Sequence, residues 1–454
     1  MNGNPASTQS VQTATTPQTE AERRRDVRRV LIGAPMGTML EWFDFGLYGA
    51  VSAIVFPQVF FPSLDPVAGT LASLASFGVG LAARPLGAVV FSHIGDRAGR
   101  KKAMVIAIIL MAAASLGMAA LPGYDSWGIW APLLLVALRC VQGLSLGGES
   151  TAAQLMAMEY APPGRRALYG SLVNVGAPLG LGIVSLTLVA IRGAVGEEAF
   201  IEWAWRIPFL VGFLMAITGF VIRRYVNETP VFEEAKKKHA PVRRPILTMF
   251  KSYPRTVSRL TLLWAANVAT AYIVNTYSAA YITKNLGMSS QTVFTLVLTA
   301  TALGAIATPT GGYLADRVGR KKVLYTGTII SLVGVIAYFP LLNTETWPLM
   351  ALGMILALNG QGLAFGALGA VLAEHFPTPV RYSGHAATYT LTNLVGGAAT
   401  PFLAAWLIDT SGTTWSIVAV LVAGYAVSLT MIHRTPETRD VDFYADNMNV
   451  VAAR

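Results

Sequence analysis

Long apolar segments separated by short polar turns recur along the chain from Val30 onward. Each segment is long enough to cross a bilayer core of about 30 Å as an α-helix, so the pattern predicts one transmembrane helix per segment. The twelve predicted segments cover residues 30–57, 68–94, 103–121, 131–158, 167–191, 204–222, 258–283, 292–314, 323–342, 347–373, 384–408 and 414–432. We therefore predict an all-α membrane protein with twelve transmembrane helices.

The composition agrees with this pattern. Hydrophobic residues make up 54% of the 454 residues and charged residues only 13%, against about 25% charged in a typical soluble domain. The single cysteine, Cys140, excludes an intramolecular disulfide, and no Cys/His cluster has the spacing of metal ligands. We expect no metal and no cofactor. No nucleophile–base pair or phosphate-binding loop indicates an enzyme.

The basic residues predict the orientation in the membrane. Most of the 34 Lys and Arg residues lie before the first segment, in turns on the same side, or near the end of the chain. The opposite side has only Arg192, Arg206 and Lys284. Cytoplasmic loops carry the excess of Lys and Arg, so we expect both termini in the cytoplasm and a location in the inner membrane. The net charge of +10 is then explained by the basic residues that orient the helices in the membrane, and no nucleic-acid partner is expected.

An internal repeat divides the chain into two halves. The sequence DRAGRKK at 96–102 recurs as DRVGRKK at 316–322, and Gln-Gly-Leu at 142–144 recurs at 361–363. A Glu and an Arg seven positions apart, at 159 and 166, recur at 374 and 381. Parallel six-helix repeats of this kind are a transporter architecture, with the substrate site between the halves.

The repeat predicts five regions. They are a disordered cytoplasmic tail at 1–29, a six-helix bundle at 30–222, a cytoplasmic linker at 223–257, a second six-helix bundle at 258–433 and a cytoplasmic tail at 434–454.

The repeated charges predict a gate on the cytoplasmic side. Glycine permits a tight reversal between helices, and the repeated acid can lie against an arginine or a helix N-terminus. The motif could be only a basic anchor, but its duplicated acid favours a latch that breaks and re-forms as the halves move. The predicted gating residues are Asp96, Arg97, Gly99, Arg100, Glu159, Arg166, Asp316, Arg317, Gly319, Arg320, Glu374 and Arg381.

Several motifs resemble those of the major facilitator superfamily and, within it, the metabolite:H⁺ symporter family. They are Glu41-Trp42-Phe43-Asp44-Phe45, Tyr48-Gly49, Arg84-Pro85-Leu86-Gly87, Arg139, Gln142-Gly143, Gly147-Gly148-Glu149, Trp205-Arg206-Ile207-Pro208-Phe209, Glu228-Thr229-Pro230, Phe232, Glu374, Phe376-Pro377-Thr378, Arg381 and Gly384. The resemblance covers nearly the whole chain. It implies proton-coupled transport by alternating access, with substrates that range from shikimate, 2-oxoglutarate and citrate to proline and betaine.

One departure bears on direction of transport. Drug:H⁺ antiporters of this superfamily carry a Gly-Pro pair in helix 5, where this chain has Gly176-Ala177-Pro178. That difference disfavours efflux.

Four charged residues fall in the middle of predicted helices of the first bundle. Glu41 lies about 16 Å deep by helical rise, and Arg84 reaches a similar depth from the same side. Asp44 lies one turn beyond Glu41, and Arg139 enters helix 4 from the outside. Each acid–base pair could be a permanent salt bridge, but charge inside a membrane is costly and usually functional.

The functional interpretation is a proton switch. We predict that Asp44, Glu41 and Arg139 couple to protons, without deciding which acid is the main proton site. Protonation of Asp44 would release Arg139 to hold a substrate carboxylate, which suits the planar guanidinium. The second bundle has neutral hydrogen-bonding residues instead. The predicted substrate-binding residues are Arg84, Arg139, Gln142, Tyr48, Tyr272 and Asn275.

We therefore expect a monomeric secondary transporter that takes up a small organic acid together with protons. The alternatives are a proline or betaine importer, a metabolite effluxer and a non-transporting membrane sensor. A long coiled-coil tail would favour a betaine carrier and a long cytoplasmic extension a sensor. The tails of this sequence are expected to favour neither.

Overall fold

The computed structural model describes residues 20–98, 100–145, 149–224, 245–377 and 380–441. The described chain is helical and contains no strand. Twelve long helical segments follow one another, which confirms the predicted fold class. They are α1 (Glu20–Ile54), α2 (Pro66–Ala98), α3 (Arg100–Ala120), α4 (described as two parts, Trp130–Ser145 and Glu149–Glu159), α5 (Arg166–Val195), α6 (Ile207–Arg224), α7 (Pro254–Asn285), α8 (Ser290–Val318), α9 (Arg320–Leu342), α10 (Trp347–Glu374), α11 (Arg381–Ser411) and α12 (Trp415–Arg434).

By length and composition, nine helical spans of the described chain could cross a membrane. Two further apolar stretches, Val105–Ala120 and Trp130–Ser145, are shorter. The first helix is 35 residues long, but its first ten residues are rich in charge. By length and composition, the described helices are therefore typical of a transmembrane bundle.

Helix bounds differ from the predicted ones by a few residues at most ends, and most of all at the start of α1. The first helix begins at Glu20 rather than near Val30, because the Glu, Ala and Arg residues before Val30 have high helix propensity. A short helix, Pro245–Ser252, lies in the predicted linker, and α7 begins at Pro254. Proline suits the first turn of a helix, where its missing N–H costs nothing. The division into five regions stays a prediction, since residues 1–19, 225–244 and 442–454 lie outside the described residues.

The helices form two halves, α1–α6 and α7–α12, called here the first and second half. Within the first half, α1 packs on α5, α2 on α4 and α3 on α6; within the second, α7 packs on α11 and α10 on both α8 and α9. Across the halves, α5 packs on α8 and α2 on α11. A Cβ at Gly312 of α8 would lie 2.6 Å from the Cβ of Ser171 in α5. Small residues thus let the halves approach closely.

The seventh helix is irregular in a way that hydropathy did not indicate. Its segments Ile273–Tyr277 and Tyr281–Asn285 are π-helical, separated by one α-helical turn. Single π-helical turns within α-helices frequently occur at functional sites. The predicted substrate residue Asn275 lies in the first of these two segments.

Candidate functional site

A cavity lies between the two halves. Its lining comes from α1 and α5 of the first half and from α7, α8, α10 and α11 of the second: Trp42, Ala177, Pro178, Leu181, Trp264, Val268, Ala271, Asn275, Ala300, Thr301, Gly304, Thr308, Leu358, Gln361, Gly362, Phe365, Tyr389 and Asn393. None of these described lining residues carries a charge. The cavity therefore offers aromatic faces and neutral hydrogen-bonding groups.

The halves contact each other on both sides of this cavity. We call the end that carries the repeated basic turns the basic end, and the other the opposite end. At the opposite end Lys284 donates to the hydroxyl of Thr70 and, at 3.2 Å, to the carbonyl of Pro66. Towards the basic end Asn174 Nδ2 donates to the carbonyl of Phe365 at 3.0 Å. The halves thus contact each other at both ends, an arrangement called here the closed state.

The contact between Asn174 and Phe365 lies on the side of the cavity towards the basic end. Phe365 stacks on Trp264, with ring centroids 5.9 Å apart and an angle of 13° between the planes. Asn174 is itself held by Gln154, whose Nε2 donates to Asn174 Oδ1 at 2.7 Å. Gln154 and Asn174 are both buried, so two neutral amides of the first half hold the backbone of α10 in the second.

Beside the cavity, the structure brings together the four charged residues expected in the middle of the first half. Nη1 of Arg84 lies 2.8 Å from Oε1 of Glu41 in a buried ion pair between α2 and α1. Asp44 is buried nearby, 2% exposed, and interacts electrostatically with Arg139 and Arg84.

Asp44 and Arg139 are linked through two neutral side chains rather than by a direct ion pair. The hydroxyl of Ser115 in α3 donates to Asp44 Oδ1 at 3.0 Å and accepts from Gln142 Nε2 at 3.3 Å. Arg139 Nη1 donates in turn to Gln142 Oε1. Among the described residues, Asp44 Oδ2 has no hydrogen-bond partner. The expected ion pair between Asp44 and Arg139 is absent here, because Gln142 and the aromatic rings around Arg139 hold its guanidinium.

Arg139 lies in an aromatic box. Its guanidinium carbon is 4.2 Å from the ring centroid of Tyr48, 5.3 Å from that of Phe77 and 5.8 Å from that of Phe45. A cation over aromatic faces is stabilised by the ring quadrupoles. Gly80 of α2 leaves the room for this side chain, since a Cβ there would lie 2.9 Å from Arg139 Cδ.

Phe45 connects the charged cluster with the second half. Its ring centroid lies 5.5 Å from the guanidinium carbon of Arg84 and 5.8 Å from that of Arg139. The same ring contacts Tyr272 of α7, with centroids 4.8 Å apart. Phe45 therefore lies next to both the charged cluster and α7.

The predicted substrate-binding residues divide into two groups. Asn275 lines the cavity, and Tyr272 donates to Asn393, which also lines it, at 3.1 Å. The other four, Arg84, Arg139, Gln142 and Tyr48, are not among the lining residues. Tyr48 instead shares a 2.8 Å hydrogen bond with Ser76. In this closed state the charged cluster thus lies behind the cavity wall.

At the basic end, four of the predicted gating residues form one network, called here the basic-end gate: Arg166, Asp316, Arg320 and Glu374. Glu374 is fully buried and pairs with Arg320 at 3.1 Å and with Arg166 of the first half at 3.2 Å. Asp316 pairs with Arg320 at 3.0 Å. Its carboxylate also accepts the backbone N–H groups of Ala167 and Leu168, at the start of α5. These contacts hold the first turn of α5 against the second half.

The remaining gating predictions have separate outcomes. Gly319 has φ +107°, a backbone conformation that favours glycine, and Arg317 lies over the ring of Tyr313. Arg381 Nε donates to the carbonyls of Ala373 and Phe376, and Glu159 ends the second part of α4. Gly99 and the side chains of Asp96, Arg97 and Arg100 lie outside the described part of the chain, so their predicted roles stay predictions.

Residues beyond α12, which sequence reasoning placed in a tail, complete the gate. Glu437 accepts the backbone N–H groups of Arg320 and Lys321 at 2.9 and 3.0 Å, at the start of α9. Thr438 donates to Glu374 at 2.6 Å, and the carbonyl of Val441 accepts from Arg166 at 2.9 Å. Burial alone would raise the pKa of Glu437, but these and neighbouring backbone hydrogen bonds outweigh it and lower the pKa.

Ser115 is another functional candidate that sequence reasoning missed. It is the single polar residue in the apolar sequence 103–120 of α3, at 2% exposure. An isolated hydroxyl in a membrane helix is a usable signal, since it must find a partner there.

Comparison with known proteins agrees with this architecture. The family described as "Sugar (and other) transporter" matches residues 30–252, and the family described as "Major Facilitator Superfamily" matches residues 263–443. In the solved structure of the xylose transporter XylE from E. coli, in a partially occluded inward open conformation, the fold is similar, with a TM-score of 0.73 at 16% identity. The alignment covers 92% of this chain and all of that one.

Relatives of higher identity cover most of the chain. The inner membrane metabolite transport protein YhjE of Escherichia coli is 38% identical over 90% of this chain and 94% of its own length. The shikimate transporter of Escherichia coli is 35% identical over 88% and 92%. The proline/betaine transporter of Escherichia coli is 34% identical over 89% and 83%. All three are transporters rather than enzymes.

Proposed function

Because the chain belongs to the major facilitator superfamily and is a membrane transporter of small molecules, we propose that it couples uptake of a small organic acid to entry of protons. The observation that supports this most directly is the environment of Asp44. Its carboxyl group is buried in the first half, one oxygen has no partner among the described residues, and it makes no direct ion pair with either nearby arginine. A buried acid of this kind can exchange a proton without breaking a salt bridge.

Charge balance supports an anionic substrate. Glu41 and Arg84 neutralise each other at 2.8 Å, and Asp44 balances Arg139 when it is ionised. Protonation of Asp44 then leaves one positive charge on Arg139 that an organic anion can offset. Proton and anion binding thereby favour each other, and thermodynamic linkage requires this coupling to be reciprocal.

The arrangement of Arg139 is compatible with substrate capture. Its hydrogen bond to Gln142 and its aromatic contacts are all made to uncharged groups, which a carboxylate can replace with a stronger salt bridge. In the closed state the Phe45 ring lies 5.8 Å from the Arg139 guanidinium carbon and contacts Tyr272 of the second half. Access from the cavity to Arg139 would therefore require these two rings to separate as the carrier opens.

Alternating access would use the contacts at the two ends. We propose that the basic end faces the cytoplasm, as the positive-inside rule requires, and that the carrier works as a monomer in the inner membrane. Opening inward would break the basic-end gate and the Asn174–Phe365 contact. Opening outward would break the contacts of Lys284 with Pro66 and Thr70.

A zwitterion importer is the second candidate, and one observation favours it. The cavity has four aromatic lining residues, Trp42, Trp264, Phe365 and Tyr389, and aromatic faces attract quaternary ammonium groups. A relative named as a proline/betaine transporter is 34% identical. A zwitterion carries no net charge, so protonation of Asp44 would favour its binding less.

Uptake into proteoliposomes distinguishes the two candidates. Labelled organic acids, their amide or ester analogues, and betaine and proline would be compared at external pH from about 8 to about 6. For an acid symporter, apparent affinity improves as the pH falls, and the neutral analogues are not accumulated. Uptake of betaine alone, or of acids and neutral analogues equally and without regard to pH, would contradict the proposal.

A further inference from the structure

Two residues that line the cavity each have a buried polar atom without a hydrogen-bond partner among the described residues. These atoms are Nε1 of Trp42, in α1, and Oδ1 of Asn275, in the π-helical part of α7. One is a donor from the first half, and the other an acceptor from the second. Buried polar groups are nearly always paired in native proteins, so each unpaired group calls for an explanation.

The orientation of the Asn275 amide is fixed by its other end. Nδ2 donates to the carbonyl of Ala271, one turn earlier, at 2.8 Å. A carbonyl only accepts, so the amide nitrogen must point towards Ala271 and the oxygen away from it. Ala271 also lines the cavity. The wider π-helical turn thus presents a fixed acceptor at the cavity wall.

Trp42 offers a complementary group. The indole N–H can only donate, and in the closed state no described residue accepts from it. Its ring contacts that of Phe45, with centroids 5.6 Å apart, so Trp42 is packed directly against the charged cluster. A substrate between the halves would meet a donor on one side and an acceptor on the other.

We propose that Trp42 and Asn275 determine specificity by binding hydroxyl groups of the substrate, which is therefore a hydroxylated organic acid. This rests on the proposed function as an organic acid carrier. A hydroxyl both donates and accepts, so it can satisfy Asn275 Oδ1 and Trp42 Nε1, whereas an ionised carboxylate only accepts. A quaternary ammonium group neither donates nor accepts, and it would leave both atoms unpaired.

The chain offers a matched control in the same cavity. Thr301 of α8 lines the cavity, but its hydroxyl already donates to the carbonyl of Val297 at 2.8 Å. Thr301→Val removes a polar group that the helix itself satisfies. The test variants Asn275→Leu and Trp42→Phe remove the acceptor and the donor while keeping side chains of similar shape.

The test is direct binding by calorimetry to the purified full-length protein in detergent. Malate would be compared with succinate, and quinate with cyclohexanecarboxylate. The wild type should bind the hydroxylated acid of at least one pair about 10- to 100-fold more tightly, because the other acid leaves a buried acceptor unpaired. That preference should fall to within about threefold in Asn275→Leu or Trp42→Phe and persist in Thr301→Val.

Equal binding of the acids in both pairs by the wild type would overturn the inference. So would a preference that survives both test variants, or binding of betaine or proline but of no acid. Thermal unfolding of each variant, followed by tryptophan fluorescence or circular dichroism, shows that it is folded. The binding measurement requires no proton gradient. Hydroxyl preference without pH-coupled uptake would therefore support this inference and contradict only the proton coupling of the proposed function.

Discussion

Oε1 of Glu41 lies 2.8 Å from Nη1 of Arg84. This ion pair joins α1 to α2 and neutralises Glu41. The other acid in the middle of α1, Asp44, has a hydroxyl partner at 3.0 Å and no direct ion pair among the described residues. The two acids, three residues apart on one helix face, therefore have different roles in our account: Glu41 holds the helices together and Asp44 exchanges the proton.

The first prediction concerns Asp44. Asp44→Asn should abolish accumulation driven by a proton gradient but preserve exchange of labelled for unlabelled substrate, because the amide resembles the protonated acid and cannot release a proton. Counterflow and gradient-driven uptake would both be measured in proteoliposomes. Ser115→Ala is the control, since it removes the hydrogen bond to Asp44 but keeps the carboxyl group, and it should retain accumulation. Accumulation at the wild-type level in Asp44→Asn would rule out Asp44 as the proton site.

A second prediction tests the position of Arg139. In Gly80→Ala the new methyl group would meet the Arg139 side chain, 2.9 Å from Cδ, and displace it from its aromatic box. Overpacking of this kind should reduce uptake by about tenfold or more. Gly69→Ala in the same helix is the control, because its Cβ would have no neighbour closer than 3.5 Å. Equal uptake by the two variants, at equal expression, would show that the placement of Arg139 is unimportant.

The basic-end gate gives a third prediction. Glu374→Gln removes the charge that joins Arg166 of the first half to Arg320 of the second. The carrier should then favour states that are open at the basic end. Labelling of single cysteines placed along α5 and α8 would report this, after replacement of Cys140. Reactivity should rise towards the basic end and fall at the opposite end, whereas the exposed Glu198→Gln should leave it unchanged. Unaltered labelling with transport lost would contradict a gating role.

Glu437 gives a prediction about pH. Backbone N–H groups lower the pKa of this carboxyl group despite its partial burial, and its ordinary value is already about 4.3. Because the pKa is lowered, the carboxylate stabilises the closed gate at every pH above about 4.3. This stabilisation is lost only as the pH falls below that value. Glu437→Gln should therefore weaken the gate equally at about pH 6 and about pH 8, as measured by the same cysteine labelling. An effect present at the higher pH and absent at the lower one would show that Glu437 itself titrates in the transport range.

The sequence alone was sufficient to predict the helices and the depth of the charged residues within them. Apolar segments long enough to span a bilayer allow few other structures, and helical rise alone placed Glu41, Arg84 and Asp44 near one level. The pairing could not be predicted, because the partner of each acid depends on how α1 is rotated. It depends equally on Ser115, which a third helix brings between Asp44 and Gln142.

Two other features had no usable pattern in the sequence. The π-helical turn at Ile273–Tyr277 has the sequence Ile-Val-Asn-Thr-Tyr, with no glycine or proline to mark it, yet it determines where Asn275 lies on the cavity wall. The residues after α12 are polar and were predicted to be a tail. Thr438 is nevertheless almost fully buried, because its hydroxyl donates to Oε2 of Glu374, which also accepts from Nε of Arg320 at 3.3 Å.

The central claim is that proton movement drives uptake of an organic acid, and a gradient-reversal experiment tests it most directly. Proteoliposomes with the wild-type protein would be loaded with equal concentrations of a labelled acid that binds inside and outside, and a pH gradient imposed with the membrane potential clamped at zero. Our account predicts net movement of the acid towards the alkaline side, reversed when the gradient is reversed and absent in Asp44→Asn. No net movement in either gradient, or the same movement in Asp44→Asn, would contradict it.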